Sequence, residues 1–208
     1  MIELYAITDD AGPPLPAVAP LREVTSHGLA AVYAQATDEP VSPELLWRHE
    51  EVVEALMEAR DLLPVRYGTR LAGEADAERA LAERHDEFAE ALDRVRGCVE
   101  VSLRVLGEQP EPATSRADSG AEYMRARGGT AAARDSAARL LHDPLSRLAR
   151  ASMTRPVAEG AELLRAAYLV DRGAVVDFAA QVAELQDANP ELQLLCTGPW
   201  PPYSFADR

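Results

Sequence analysis

The side chains in this chain best suited to acid–base or metal chemistry are four histidines, His27, His49, His85 and His142. His49 is followed by Glu50 and His85 by Asp86, pairings that a metal-dependent hydrolase could use with one further carboxylate. The spacing argues against it. No His-x-x-x-His or His-Glu-x-x-His repeat is present, and one histidine per predicted helix leaves a metal ligand set incomplete. Both residues fall on apolar helical stripes, where a hydrogen-bonded histidine at a helix interface is the simpler reading. Cys98 and Cys196 are too few for a disulfide scaffold and read as two buried, reduced thiols. No Gly-x-Ser-x-Gly elbow, phosphate-binding loop or dinucleotide fingerprint appears. The expectation is therefore no catalytic residues, no metal and no cofactor. Arg66 is the most notable single charge. It reads either as a partner-binding arginine or as a strand residue on a solvated face.

Composition narrows the field further. All 21 basic residues are arginine, and 35 acidic residues bring the formal charge to −14. A surface this acidic repels phosphate backbones and anionic lipid headgroups, so nucleic acid is not an expected partner. No apolar run approaches the ~18 residues that span a bilayer, and the N-terminus lacks the pattern of a signal peptide. The chain reads as cytoplasmic, without membrane insertion.

The elements that would position these residues fall into two α+β modules meeting near Gly97. In the first, Ile2 to Ile7 suits a buried strand, and Leu21 to Ser26 and Leu29 to Gln35 form a hairpin turning at Gly28. Ser42-Pro43-Glu44 opens a helix: a hydroxyl cap, a proline in the first turn and an acid at the positive end of the dipole. Its stripe runs Leu45, His49, Val52, Val53, Leu56 and Met57. Leu62 to Tyr67 returns as a strand ending at Gly68. Asp76 to Arg96 forms one amphipathic helix with the stripe Leu81, His85, Phe88, Leu92 and Val95, stopped by Gly97.

In the second module Cys98 to Leu106 alternates as a strand, and an exposed loop spans Gly107 to Asp118. A long helix from about Ala121 to Met153, kinked near Asp143-Pro144, comes next. Strands Thr154 to Ala158 and Leu163 to Asp171 turn at Gly160, before a helix from Ala174 to Ala188 and a strand from Leu192 to Thr197. This β-α-β-β-α-β order is the ferredoxin-like pattern. The expected fold class is thus α+β in two modules, the second ferredoxin-like with a long kinked first helix. The domains are 1–96, 97–197 and an extended Pro/aromatic tail, 198–208. Three prolines hold the tail extended, and Trp200, Tyr203 and Phe205 give it apolar area to bury, most simply by docking on the first module.

That tail, Thr197-Gly198-Pro199-Trp200-Pro201-Pro202-Tyr203-Ser204-Phe205, resembles the C-terminal signature of the GvpF/GvpL family of gas vesicle accessory proteins. His49-Glu50-Glu51-Val52-Val53 leading to Leu63-Pro64-Val65-Arg66-Tyr67-Gly68-Thr69 resembles a second family block, Gly120-Ala121-Glu122-Tyr123-Met124 a third, and Leu4-Tyr5-Ala6-Ile7 the opening one. Tyr67 stands where Phe is usual and Met124 where Leu is usual. The resemblance implies a non-enzymatic, gas vesicle-associated assembly protein with a ferredoxin-like second domain. It also implies contact with the small hydrophobic shell protein and with other gas vesicle accessory proteins. The alternative within the family is a minor structural component of the vesicle itself. The residues expected to bind a partner or dock the domains are Leu45, His49, Val53, Arg66, Tyr67, Trp200, Tyr203 and Phe205, around an apolar groove between the modules.

Overall fold

A computed structural model describes residues 1–37, 39–107, 135–157 and 161–206. The chain divides into two compact units: Met1–Val99 together with Trp200–Arg208, and Glu100–Pro199.

Unit 1 is built on an antiparallel sheet. Strand β1 (Ile2–Asp9) is its centre, flanked by the β2 (Arg22–Ser26) and β3 (Leu29–Gln35) hairpin on one side and by β4 (Leu62–Pro64) and β5 (Arg70–Leu71) on the other. The hairpin turns at His27 and Gly28, both with positive φ (53° and 89°), the geometry of the tight two-residue turns that match strand twist. Pairing of β1 with β3 slips by one residue between Leu4 and Ala6. The extra residue, Tyr5, changes which side chains face which side. Glu3, Tyr5 and Thr8 reach helix α1 (Pro43–Ala59) and the arginine that ends it, while Leu4 and Ile7 face the other way. Sheet β1 and β3 are buried on both faces, which explains the near-continuous apolar runs of these strands.

Ser42 caps α1, its Oγ accepting the Leu45 amide at 3.3 Å, a contact of a kind worth about 1 kcal/mol. The helix buries His49, Val52, Val53, Leu56 and Met57 and leaves Leu46 and Trp47 exposed. The strand expected over Leu62 to Tyr67 stops at Pro64. Val65 still donates to the Tyr5 carbonyl, but the Thr69 amide bonds back to Arg66 and turns the chain. Arg66 therefore lies in an exposed turn and not on a strand face.

The single helix expected over Asp76 to Arg96 is two, α2 (Glu74–Glu83) and α3 (His85–Val95). The break sits at Arg84, whose φ of −115° and ψ of 23° leave the helical range. Three contacts hold it there. The Arg84 guanidinium pairs with Glu87 and lies 4.5 Å over the Phe88 ring, and the His85 Nε2 donates to the His27 carbonyl at 3.1 Å. Gly97, at φ 71°, ends the run as expected.

Unit 2 contains a second antiparallel sheet, ordered β7–β8–β6–β9, from β6 (Cys98–Leu106), β7 (Ala151–Thr154), β8 (Glu162–Asp171) and β9 (Gln193–Trp200). Helix α4 (Asp143–Ser146) and helix α5 (Val175–Ala188) contribute Leu145, Phe178 and Val182 to a core shared with Val101, Leu103 and Val105 of β6 and Leu164, Ala166, Tyr168 and Val170 of β8. Just before α4 the backbone widens to a π-turn over Ala138–His142. Pro144 has no N–H to give the carbonyl four residues earlier, so the regular ladder cannot run through this point. The helix expected to reach Met153 ends with α4, and β7 replaces the strand expected at Thr154 to Ala158. The Gly107 to Asp118 loop, the helix start near Ala121 and the Gly160 turn fall outside the described residues, wholly or for the most part.

In this core the Tyr168 ring lies 5.1 Å from Phe178, and its hydroxyl meets His142 Nδ1 at 2.9 Å. Burial holds the His142 imidazole below its ordinary value, against a weaker upward pull from Asp143. Burial also pushes the Tyr168 phenol up, so the hydroxyl stays protonated and donates. The folded chain thus keeps His142 neutral where the unfolded chain has already bound a proton. Stability is expected to fall as pH drops from 8 through the ordinary histidine value near 6.5, and His142→Gln should flatten that decline. Urea midpoints measured across this range check it. An unchanged slope in the variant would refute it.

β9 runs to Trp200, three residues beyond the strand expected, and the tail departs from an extended path only after it. The segment Tyr203–Ala206 is a single helical turn, α6. Cys98 is buried but Cys196 is exposed on β9, contrary to the expectation of two buried thiols, and neither forms a disulfide.

Candidate functional site

The described part of unit 1 carries an apolar cleft of about 340 Å³. Its floor is the sheet face opposite α1, presented by Leu4 and Ile7 of β1, Ala31 of β3 and Leu63 of β4. Its wall is α2 and α3. The space exists because those helices turn Ala77, Ala80 and Ala91 toward the sheet where larger side chains would close it. Leu81 and Phe88 supply the remaining apolar lining, and Arg66, Arg84 and Glu87 stand among the polar lining residues. The Arg84 pair holds the Glu87 carboxyl below the usual carboxylate range.

Helix α6 sits beside α3 and the β4 edge. Phe205 is 2% exposed, and Arg94 Nη1 reaches its carbonyl at 3.4 Å. On one side the Tyr203 hydroxyl donates to Glu50 of α1 at 3.2 Å; on the other Ala206 lines the cleft. Burial, with the Glu50 carboxylate beside it, pushes the Tyr203 phenol up. Trp200 remains 42% exposed.

Behind the sheet, His49 is fully enclosed. Its Nε2 meets the Val65 carbonyl at 2.8 Å, an acceptor, so Nε2 donates. Tyr5 stacks on the ring at 4.6 Å and Tyr67 meets it edge-on at 5.5 Å. Nδ1 is buried without a hydrogen-bond partner and lies 3.5 Å from Glu3 Oε1, while the Gly68 amide donates to that same oxygen at 3.4 Å. His49 and Glu3 thereby fasten the Val65–Gly68 turn to β1 and α1, which fixes Arg66 at the cleft. His85, by contrast, is half-exposed at the α2–α3 break, with Asp86 at 2.9 Å, and does not meet His49.

The eight residues singled out in the sequence are thus dispersed by role. Arg66 lines the cleft; Val53 and Phe205 are core; Leu45 and Tyr67 are half-buried; Tyr203 opens α6 and Trp200 precedes it. The lining from α2 and α3 escaped the sequence reading, since its alanines read only as helix formers. Glu3 and Arg60 escaped it too: a charge in an apolar strand and one at a helix end announce no burial. Among the described residues no group of three or more His, Cys, Asp or Glu is placed to hold a metal, and no helix is long and apolar enough to cross a membrane.

Two mixed α/β units, each on its own antiparallel sheet, define the class of protein. The crystal structure of the gas vesicle protein GvpF from Anabaena sp. PCC7120 has the same fold, with a TM-score of 0.83 over 99% of this chain and 95% of that one, at 21% identity. GvpF from Microcystis aeruginosa matches with a TM-score of 0.82, covering 99% and 98% of the two chains at 19% identity. Among sequence relatives, gas vesicle protein L of Streptomyces sp. is 36% identical over 182 residues, 76% of this chain and 67% of the relative. Gas vesicle protein F of the same organism is 31% identical over 214 residues, 90% and 88% of the two. The model of the gas vesicle synthesis protein GvpL/GvpF family matches residues 3–207, and the chain belongs to that family.

Proposed function

We propose that this chain acts in gas vesicle formation by holding an apolar segment of the small shell protein before that protein assembles. The cleft of unit 1 carries the reading. It offers concave apolar surface of a size that takes one or two large side chains, with arginine at its margin and an acidic exterior that keeps the holder in solution. A subunit that lines a gas-filled compartment must expose apolar surface, and it aggregates unless something covers that surface. On this reading the protein is cytoplasmic and vesicle-associated, and its partners are the shell protein and other gas vesicle accessory proteins. Arg66 meets the partner, Tyr67 and His49 position it, and Tyr203 of α6, with Trp200 before it, extends the contact. Unit 2 is read as ferredoxin-like, supported by the order β7–β8–β6–β9, which places the first and last strands of the motif side by side.

Ala80 is half-exposed at the cleft, so Ala80→Trp should fill it without disturbing the core beneath. Co-purification with the shell protein is expected to fall at least tenfold in this variant while its circular dichroism matches the parent. Undiminished co-purification would sink the cleft as the binding site. Were the chain instead a structural component of the vesicle wall, it would resist extraction of purified vesicles by urea. A peripheral assembly factor is expected to wash off.

A further inference from the structure

The sheet of unit 2 has its core on one face, built from Val101, Leu103 and Val105 of β6 with the helices. The intervening residues of β6, Glu100, Ser102 and Arg104, face the other way. There they line a hollow of about 280 Å³ together with Arg155 and Arg165. Arg155 follows β7, and its amide donates to the Arg165 carbonyl at 2.8 Å, so the two arginines are lateral neighbours on adjacent strands. Arg104 Nε and Arg165 Nε both donate to Glu162 Oε1, at 2.8 and 3.0 Å, and Arg165 Nη2 donates to Oε2 at 2.7 Å. Those contacts hold the Glu162 carboxyl below the usual range, Arg165 contributing most.

Three guanidiniums thus line one hollow, with Glu100 and Glu162 as the carboxylates beside them. Like charges in adjacent strand positions destabilise a sheet. Among the described residues, a chain whose formal charge is −14 here gathers three arginines beside two glutamates. The arginines stay accessible: the side chains of Arg104 and Arg165 are 52% and 43% exposed, and Arg155 is exposed. The apolar core of the sheet lies on the opposite face.

We infer that this hollow docks an acidic segment of a partner polypeptide, one Asp or Glu side chain seating among Arg104, Arg155 and Arg165. Guanidinium forks match carboxylates in plane and in hydrogen-bond number, and charge-assisted bonds of this kind are the strong ones. Nucleic acid fits the face poorly. Among the described residues no aromatic side chain lines the hollow to stack a base, and the acidic chain repels a long polyphosphate. The site belongs to unit 2 alone and stands independently of the cleft in unit 1.

The full chain should be titrated into fluorescein-labelled ten-residue peptides of alternating Glu and Ala, or Gln and Ala, and into a ten-nucleotide uridine RNA, with anisotropy as the readout. The Glu peptide is expected to bind, more tightly at low salt, and the Gln peptide and the RNA are not. Arg155→Gln should weaken binding about tenfold, the scale of one lost charged hydrogen bond. Ser102→Glu, which places a carboxylate in the hollow, should abolish it, and Arg147→Gln, outside the hollow, should leave it unchanged. Circular dichroism confirms the fold of each variant. Three results would each overturn the proposal: no binding of the Glu peptide, preference for the RNA, or undiminished binding by well-folded Arg155→Gln and Ser102→Glu.

Discussion

Replacing Phe205 with alanine is expected to destabilise unit 1 by about 3–5 kcal/mol, the usual cost of emptying a well-packed aromatic site. Phe205 is 2% exposed and sits on a four-residue helix that has little stability of its own. The site therefore cannot relax by leaning on the rest of α6; losing the ring also loosens the turn that carries Tyr203 to Glu50. A domain is stable by only about 5–15 kcal/mol, so the variant should shift the unfolding midpoint strongly. Both tryptophans, Trp47 and Trp200, belong to unit 1, so urea unfolding followed by tryptophan fluorescence reports on this unit directly. A change below about 1 kcal/mol would mean that α6 does not hold unit 1 together.

Arg60→Met is the second large effect. Arg60 terminates α1, its amide bonding the Leu56 carbonyl at 2.8 Å, and its side chain is only 3% exposed. The guanidinium donates to the Pro13 carbonyl through Nε at 2.6 Å, to Glu23 at 2.9 Å and to Thr8 at 3.4 Å, tying the proline-rich loop, β2 and β1 to one helix end. Removing one partner of an enclosed ion pair costs about 3–5 kcal/mol, because the other charge and the carbonyl lose their donors in place. Glu23 is a third exposed and can recover water, which sets the expectation toward the lower end of that range. Lysine should not rescue, since a single ammonium cannot reach three acceptors arranged for a fork. Thermal unfolding of Arg60→Met, Arg60→Lys and Glu23→Gln side by side measures this. A neutral Arg60→Met would show that the loop is held by something else.

Elements with a strong local signal were legible in the sequence. Leu29–Gln35 and Cys98–Leu106 have the bounds expected of them, because each starts directly after a glycine turn and the second alternates along its length. The Ser42 cap and Pro43 placed the start of α1 for the same reason. What could not be read were features created by contacts distant in sequence. The break at Arg84 depends on the His27 carbonyl, and the slip at Tyr5 depends on which face α1 occupies. The turn at Tyr203–Ala206 forms although three nearby prolines suggest an extended path, because Phe205 gains burial only when the backbone coils there. The family blocks pointed to His49, Arg66 and Tyr67, but the cleft itself is framed by alanines, which shape it by the room they leave.

Because the first unit recruits Phe205 and its neighbours from beyond the whole of the second, the second is an insertion within the first. A growing polypeptide emerging from the ribosome therefore finishes the inner unit before the outer one can close. Until the Phe205 codon has been translated and its residue released from the exit tunnel, the seat for that ring stays open and oily. Nascent chains interrupted late would display a completed inner unit and an unfinished outer one, a state that quality-control proteases can distinguish from the mature molecule.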